Sequence, residues 1–342
     1  ARWRNRFFGK LEPSAETDKY LEAIRDFQPS VIQVFGSENN FGLVDGKTEV
    51  PVLIHLQGIL QAIADHWFSG VSRGESLWYA GLFDLLNGRT FYQKYKLIQR
   101  KTAREKYILE HARHIIGRTA WDKNLMSLLA PGSAYYHGNE VLRPAFYEHT
   151  WESPGDSTLR IMSVMNEELY KGLDVIFRAA RIIQEQGVII QWVIAGLNAS
   201  GRLVRLMERK MKRSSGSLGI VYAGKLKAER LIENLLKSTV FVHPTYIDNS
   251  PNSICEAMIL GMPVVASYAG GIPSLIDNEV NGFLFQPGDA FNLACLIMKL
   301  HHDPALCMKT GNQARKAALA RHDRETVVRD LLTIYSRVIN NG

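Results

Sequence analysis

Two acidic side chains eight residues apart, Asp248 and Glu256, are the first feature of this sequence that points to chemistry. Asp248 lies in a polar run, Tyr246 to Asn252, rich in hydrogen-bonding groups, and Glu256 lies in the apolar stretch that follows. Ser253 suits the N-cap of a helix there, with Glu256 three residues on as its capping-box partner. The first-turn amides would bind an anion or sugar hydroxyls. After Gly261-Met262-Pro263 a second apolar run ends in Ala269-Gly270-Gly271-Ile272-Pro273, where glycines let a ligand come close to the backbone. Taken singly, Glu256 serves as a cap and Gly270-Gly271 as a turn. In this order and spacing they describe a ligand site.

Such residues need elements to hold them. From about residue 155 apolar strands alternate with amphipathic helices. The strands are Leu159–Val164, Val188–Ala195, Ile220–Ala223, Val240–His243 and Pro263–Ser267. Between them run helices with Leu173, Ile176, Phe177, Ala180 and Ile183 on one face, then Leu203–Lys212, Glu229–Lys237 and Ser253–Leu260. This alternation implies βαβ units and a parallel sheet covered on both faces. Ligands of such sheets bind beyond the carboxyl ends of the strands, where both polar loops fall. The first half is less regular. Helix Glu16–Phe27, strands Val31–Phe35 and Val52–Leu56, the segments Tyr107–Ile116 and Ala120–Leu128 as helices with a strand as the alternative, and a short apolar run after Pro131 suggest another α/β unit. The segment His149 to Asp156 reads as the junction.

A chain of 342 residues favours two domains. With 46% apolar and 22% charged residues it is neither disordered nor a disulfide scaffold. Three cysteines without CxxC spacing point to a reducing, cytoplasmic setting and away from a zinc site. The net charge of +7 is spread over both halves, as in a mildly basic enzyme and not a nucleic-acid binder. Between Lys94 and Arg118 eight basic residues face only Glu105 and Glu110. That run is either a solvated helix face or a patch for an anionic acceptor or the inner membrane surface. The Trp and Tyr cluster from Trp67 to Tyr95 reads as core. The opening ARWRNRFFGK has neither an initiator Met nor a signal-peptide core, which suggests a start part-way into a longer protein.

Carboxylate-x7-Glu-Ala-Met-x2-Gly-x-Pro-Val, followed by Gly-Gly-Ile-Pro and Asn-Gly-Phe-Leu, resembles the family 4 retaining glycosyltransferases of the GT-B fold. The resemblance runs from about Leu159 onward and is weaker over the first half, where HARHIIGRTAWDKN is similar to that family's last N-domain elements. It implies two Rossmann-like, doubly wound domains facing a cleft. Residues 1–150 would form an incomplete acceptor-side domain, 151–325 a nucleotide-sugar domain, and 326–342 a helix crossing back to the first. It further implies that Glu256 binds the ribose hydroxyls and that Asp248, in place of a Glu, lies near the donor sugar. Lys171 would neutralise the diphosphate and Gly224 would pass near the base. The amides around Asn252 and Ser253 would contact the transferred sugar, and those near Gly270 and Gly271 the departing phosphate.

Three departures stand out. The Arg that the family carries five or six residues before its Lys-Gly pair is Met165 or Asn166 here, so Arg118 or Lys225 would have to compensate. The family's cleft His falls on Gln57. The glycine-rich loop near the family's N-terminus is absent. The resulting expectation is a retaining, front-face transfer from a nucleotide sugar to a saccharide or lipid-linked acceptor in surface polysaccharide or glycolipid synthesis. Asp248 and Lys171 act at the reaction centre, no metal or cofactor is required, and Gln57 and Arg118 sit on the acceptor side. The alternatives are a sugar phosphorylase or epimerase of the same fold, or a degenerate nucleotide-sugar-binding protein.

Overall fold

The computed structural model describes residues 14–154 and 158–340. The opening stretch 1–13, Gly155 and Asp156 of the expected junction, and residues 341–342 of the expected last helix lie outside the described residues.

The chain divides into two compact units. The first takes residues 1–65, 82–141 and 323–342, and the second takes residues 66–81 and 142–322. The divisions therefore fall before Leu142 and Asp323, not after residues 150 and 325. Side chains explain the first shift: Phe146 is fully buried, and Trp151 Nε1 donates to the Ser238 carbonyl at 2.8 Å. Residues 66–81 join the second unit for the same reason. Trp67 is fully buried and tilts against Tyr170 at 5.7 Å between centroids. Lys210 Nζ reaches the Gly70 carbonyl at 2.8 Å and Glu75 at 2.9 Å. The expected aromatic core from Trp67 to Tyr95 thus splits, since Trp67, Phe91 and Tyr95 are buried while Trp78 is 83% exposed.

In the second unit six parallel strands take the order β10-β9-β8-β5-β6-β7. They are β5 (Leu159–Val164), β6 (Ile190–Ala195), β7 (Ile220–Gly224), β8 (Val240–His243), β9 (Val264–Ser267) and β10 (Phe283–Phe285). The strands β8 and β9 are buried at every residue, as strands covered on both faces must be. The chain first builds outward from β5 to β7, then returns to the other side of β5 and builds through β8 to β10. Strand order therefore reverses between β5 and β8. Their ladder holds two pairs, Ile161 with Val240 and Met162 with Phe241, whereas β5 and β6 pair over six.

In the first unit four parallel strands run in sequence order: β1 (Ile32–Phe35), β2 (Val52–His55), β3 (His114–Gly117) and β4 (Ala134–His137). A long helix, Phe91–His111, precedes β3. It replaces the expected helix Tyr107–Ile116, because Ile115 and Ile116 extend into β3 and pair with Ile54 and His55. The helix Arg324–Asn340 belongs to this unit. Its Ile334 and Val338 pack on Leu53 and Ile116, and Tyr335 donates to Gln33 on β1.

Candidate donor site and a second polar cluster

The loops after β5 and β8 meet at the strand-order reversal. A short turn, Leu169–Lys171, follows β5. The Tyr246 amide and the Thr245 hydroxyl both donate to the Tyr170 carbonyl, at 2.8 and 3.1 Å. Gly172 has φ +80°, and a Cβ there would stand 1.9 Å from the Pro244 carbonyl oxygen, so only glycine permits this approach. The two loops are thereby fastened together, and Lys171 Nζ reaches Asp248 Oδ2 at 2.6 Å.

A second group converges on the same oxygen: His243 Nε2, 3.0 Å away. An ionised carboxylate only accepts, so His243 carries its proton on Nε2. Burial alone would raise the Asp248 pKa, but the Lys171 charge and the His243 hydrogen bond hold it well below the usual carboxylate range. Burial pushes the His243 pKa down, against the opposing pull of Asp248. The result is an ammonium, a carboxylate and a neutral imidazole in one row, of which the imidazole is the most buried member. Sequence alone places His243 only as the last residue of a strand. The signal was its position at the end of a strand five residues before Asp248.

The backbone of this row rests on the glycine pair. The Gly271 amide donates to the Asp248 carbonyl at 2.9 Å, and a Cβ on Gly270 (φ +53°) would lie 2.0 Å from that same oxygen. Gly271 is thus committed to shaping the loop and does not offer its amide to a departing phosphate.

The helix Asn252–Leu260 carries Glu256, and its start differs from the expected one. Pro251 is the N-cap and no side chain caps the helix. The Ile254 and Cys255 amides turn back to the Pro251 carbonyl, while Asn252 is exposed and Ser253 half-buried in the first turn. Glu256 does not close a capping box, because both its oxygens accept from Arg143, Nε at 2.7 Å and Nη2 at 2.8 Å. Arg143 was missed from sequence, since nothing in spacing links side chains 113 residues apart. Gly224 ends β7, with its amide on the Leu197 carbonyl at 3.0 Å, and Lys225 beside it is exposed. The site residues thus sit at or just past the carboxyl ends of β5, β7, β8 and β9. Direct bonds join Lys171, His243, Asp248 and Gly271.

The remaining two candidates, Gln57 and Arg118, come together in the first unit on a carboxylate that sequence reading overlooked. Arg118 Nη1 lies 2.6 Å from Glu140 Oε2, and Gln57 Nε2 donates to Oε1 at 3.1 Å. His55 Nε2 stands 3.8 Å from Oε1. Burial lowers the His55 pKa to about 4, with Glu140 opposing and Arg118 assisting. Arg118 is buried and engaged with Glu140, which argues against its compensating for the missing diphosphate cation. The basic run is divided likewise: Arg104 bonds Asn40 and Arg113 bonds Asp45, leaving Lys96, Arg100 and Lys106 exposed on the helix.

Among the described residues no three His, Cys, Asp or Glu side chains gather as a metal-binding group, and no helix is long and apolar enough to cross a membrane. All three cysteines are free.

Two parallel α/β sheets are the architecture of the GT-B glycosyltransferases, and solved structures carry the same fold. Sucrose-phosphate synthase from Thermosynechococcus elongatus superposes with a TM-score of 0.71 at 16% identity, covering 95% of this chain and 78% of that one. Anabaena Alr3699/HepE in complex with UDP and glucose gives 0.67 at 17% identity, covering 94% and 80%. Residues 152–317 match the family model of the Glycosyl transferases group 1. The amylovoran biosynthesis glycosyltransferase AmsK of Erwinia amylovora is 25% identical over 224 residues, 64% of this chain and 54% of that protein. The chain thus spans about half the length of this curated relative. It has the GT-B fold and carries a group 1 glycosyltransferase region in its second unit.

Proposed function

We propose that the protein is a retaining glycosyltransferase that moves a sugar from a nucleoside-diphosphate sugar to a saccharide or lipid-linked acceptor in surface polysaccharide or glycolipid synthesis. The observation that carries this reading is the Lys171–Asp248–His243 row at the carboxyl ends of β5 and β8. An ammonium has three donors and Asp248 takes one, so Lys171 keeps donors for a departing diphosphate. Asp248 and the first turn at Asn252 and Ser253 orient the sugar, Glu256 takes the ribose hydroxyls, and Gly224 and Lys225 flank the nucleotide. Retention then proceeds at the front face: the bond from the anomeric carbon to the diphosphate breaks, the acceptor oxygen bonds to that carbon, and its proton passes to the leaving phosphate. The protein's part is to align the partners and stabilise the charge that develops on the phosphate.

The second unit is the donor side of this reaction. The first unit, with Gln57, Arg118 and Glu140, is the acceptor side, and the exposed Lys96, Arg100 and Lys106 suit an anionic acceptor or membrane surface. No metal or cofactor is required. A panel of nucleotide sugars tests the proposal, read first by thermal shift and then by release of nucleoside diphosphate. Release without phosphate consumption, with the anomeric configuration kept in the product, supports transfer. Consumption of phosphate points to a phosphorylase. Saturable binding without turnover on any acceptor defeats the enzymatic reading.

A further inference from the structure

The carboxylate assigned above to the ribose is already occupied. Arg143 presents two N–H groups in one plane to the two oxygens of Glu256, and a ribose would present two vicinal hydroxyls to the same pair of acceptors. We propose that Arg143 is the internal occupant of the ribose position, and that it sets nucleotide affinity by competing for Glu256. The inference rests on the donor-site reading given above.

The surroundings of Arg143 suit an exchangeable occupant better than a permanent brace. Glu256 is held rigidly, with its side chain 7% exposed in the middle of a buried helix, whereas the Arg143 side chain is 44% exposed. The guanidinium also lies 4.7 Å over the Phe146 ring, a cation–π contact that does not depend on Glu256. A second carboxylate, Glu229 in the first turn of the helix Ala228–Leu236, also favours its charged form. With no ligand bound, Arg143 spares the buried Glu256 the cost of an unpaired charge. When the nucleotide arrives, the diol replaces the fork bond for bond. A pair formed nine-tenths of the time weakens apparent affinity about tenfold.

The test is calorimetric titration of UDP and GDP into the wild-type chain and into Arg143→Ala, Arg143→Gln and Glu256→Gln. Competition predicts opposite movements: Arg143→Ala melts at a lower temperature without ligand yet binds the preferred nucleotide about five to ten times more tightly. Arg143→Gln keeps the stem over Phe146 but has no fork, and it is expected to bind more tightly with little loss of stability, which covers the case of a poorly folded alanine variant. Unchanged or weaker binding in both Arg143 variants, with Glu256→Gln impaired, overturns the competition and leaves the donor reading standing. Wild-type strength in Glu256→Gln, or no binding of either nucleotide by the wild-type chain, overturns both.

Discussion

Each unit holds a carboxylate, 18% exposed in both, beside a cation and an imidazole, and the two are built to different ends. Asp248 receives Lys171 and His243 on a single oxygen, at 2.6 and 3.0 Å. Glu140 divides its partners, with Arg118 on one oxygen, Gln57 on the other, and His55 3.8 Å away. The strands beneath them explain the contrast. Asp248 stands where strand order reverses and the β5–β8 ladder holds two pairs, and the loops that carry it and Lys171 are joined through the Tyr170 carbonyl. Glu140 and its partners follow β2, β3 and β4, consecutive neighbours in a sheet that runs in sequence order, so their loops close on one another. On the proposed reading the charged cluster at the reversal serves a ligand, and the same chemistry on adjacent loops holds the fold.

Exchanging cations between these roles gives the largest expected effect. Lys171→Ala is expected to lower turnover by about a hundredfold or more, because on the proposed mechanism it removes the charge that meets the leaving diphosphate, while His243 still donates to Asp248. Arg118→Ala should reverse the pattern. It strands Glu140 and costs about 3 kcal/mol of stability in chemical denaturation, with donor affinity little changed. Equal losses of turnover in the two variants would erase the distinction.

The imidazoles sharpen it through pH. A His whose folded pKa lies below its unfolded value binds fewer protons when folded, so stability rises with pH between the two values. For His55 that window runs from about 4 to the ordinary value of 6.5. Within it stability should fall by up to about 1.4 kcal/mol for each unit of acidification, and His55→Asn should flatten the slope. Asp248 acts in a lower window. Its folded pKa is depressed, so its contribution is present above the unfolded value near 3.8 and is lost as pH falls further.

A smaller effect is expected from His243→Asn, which removes or weakens one hydrogen bond to Asp248, worth about 1 to 2 kcal/mol, and should raise the donor KM more than it lowers kcat. Smallest of all is the response to chelation, with turnover in excess EDTA expected to equal that in its absence. Its abolition would put a metal back into the donor site.

What the sequence made legible follows from the same contrast. Strands β5 and β8 and most of the helix carrying Glu256 were readable because buried parallel strands are continuous apolar runs and the intervening helices are amphipathic. In the first unit the end of the helix Phe91–His111 and the start of β3 merge into one mixed run from Tyr107 to Ile116, and periodicity alone does not divide it. Lys171, Asp248, Gly270 and Gly271 were found through local motifs. Arg143 and Glu140 were not, because their significance lies in partners 113 and 22 residues away. The expected cap at Ser253 failed for a local reason: Pro251 already supplies an extended entry.

The helix Arg324–Asn340 fixes an order of assembly. A ribosome delivers it only after every residue of the second unit, yet Ile334 and Val338 cover Leu53 and Ile116 of the first. Until then those two strand positions lack their cover, and a nascent chain carries that apolar patch until the helix emerges. The unit begun earliest is sealed last.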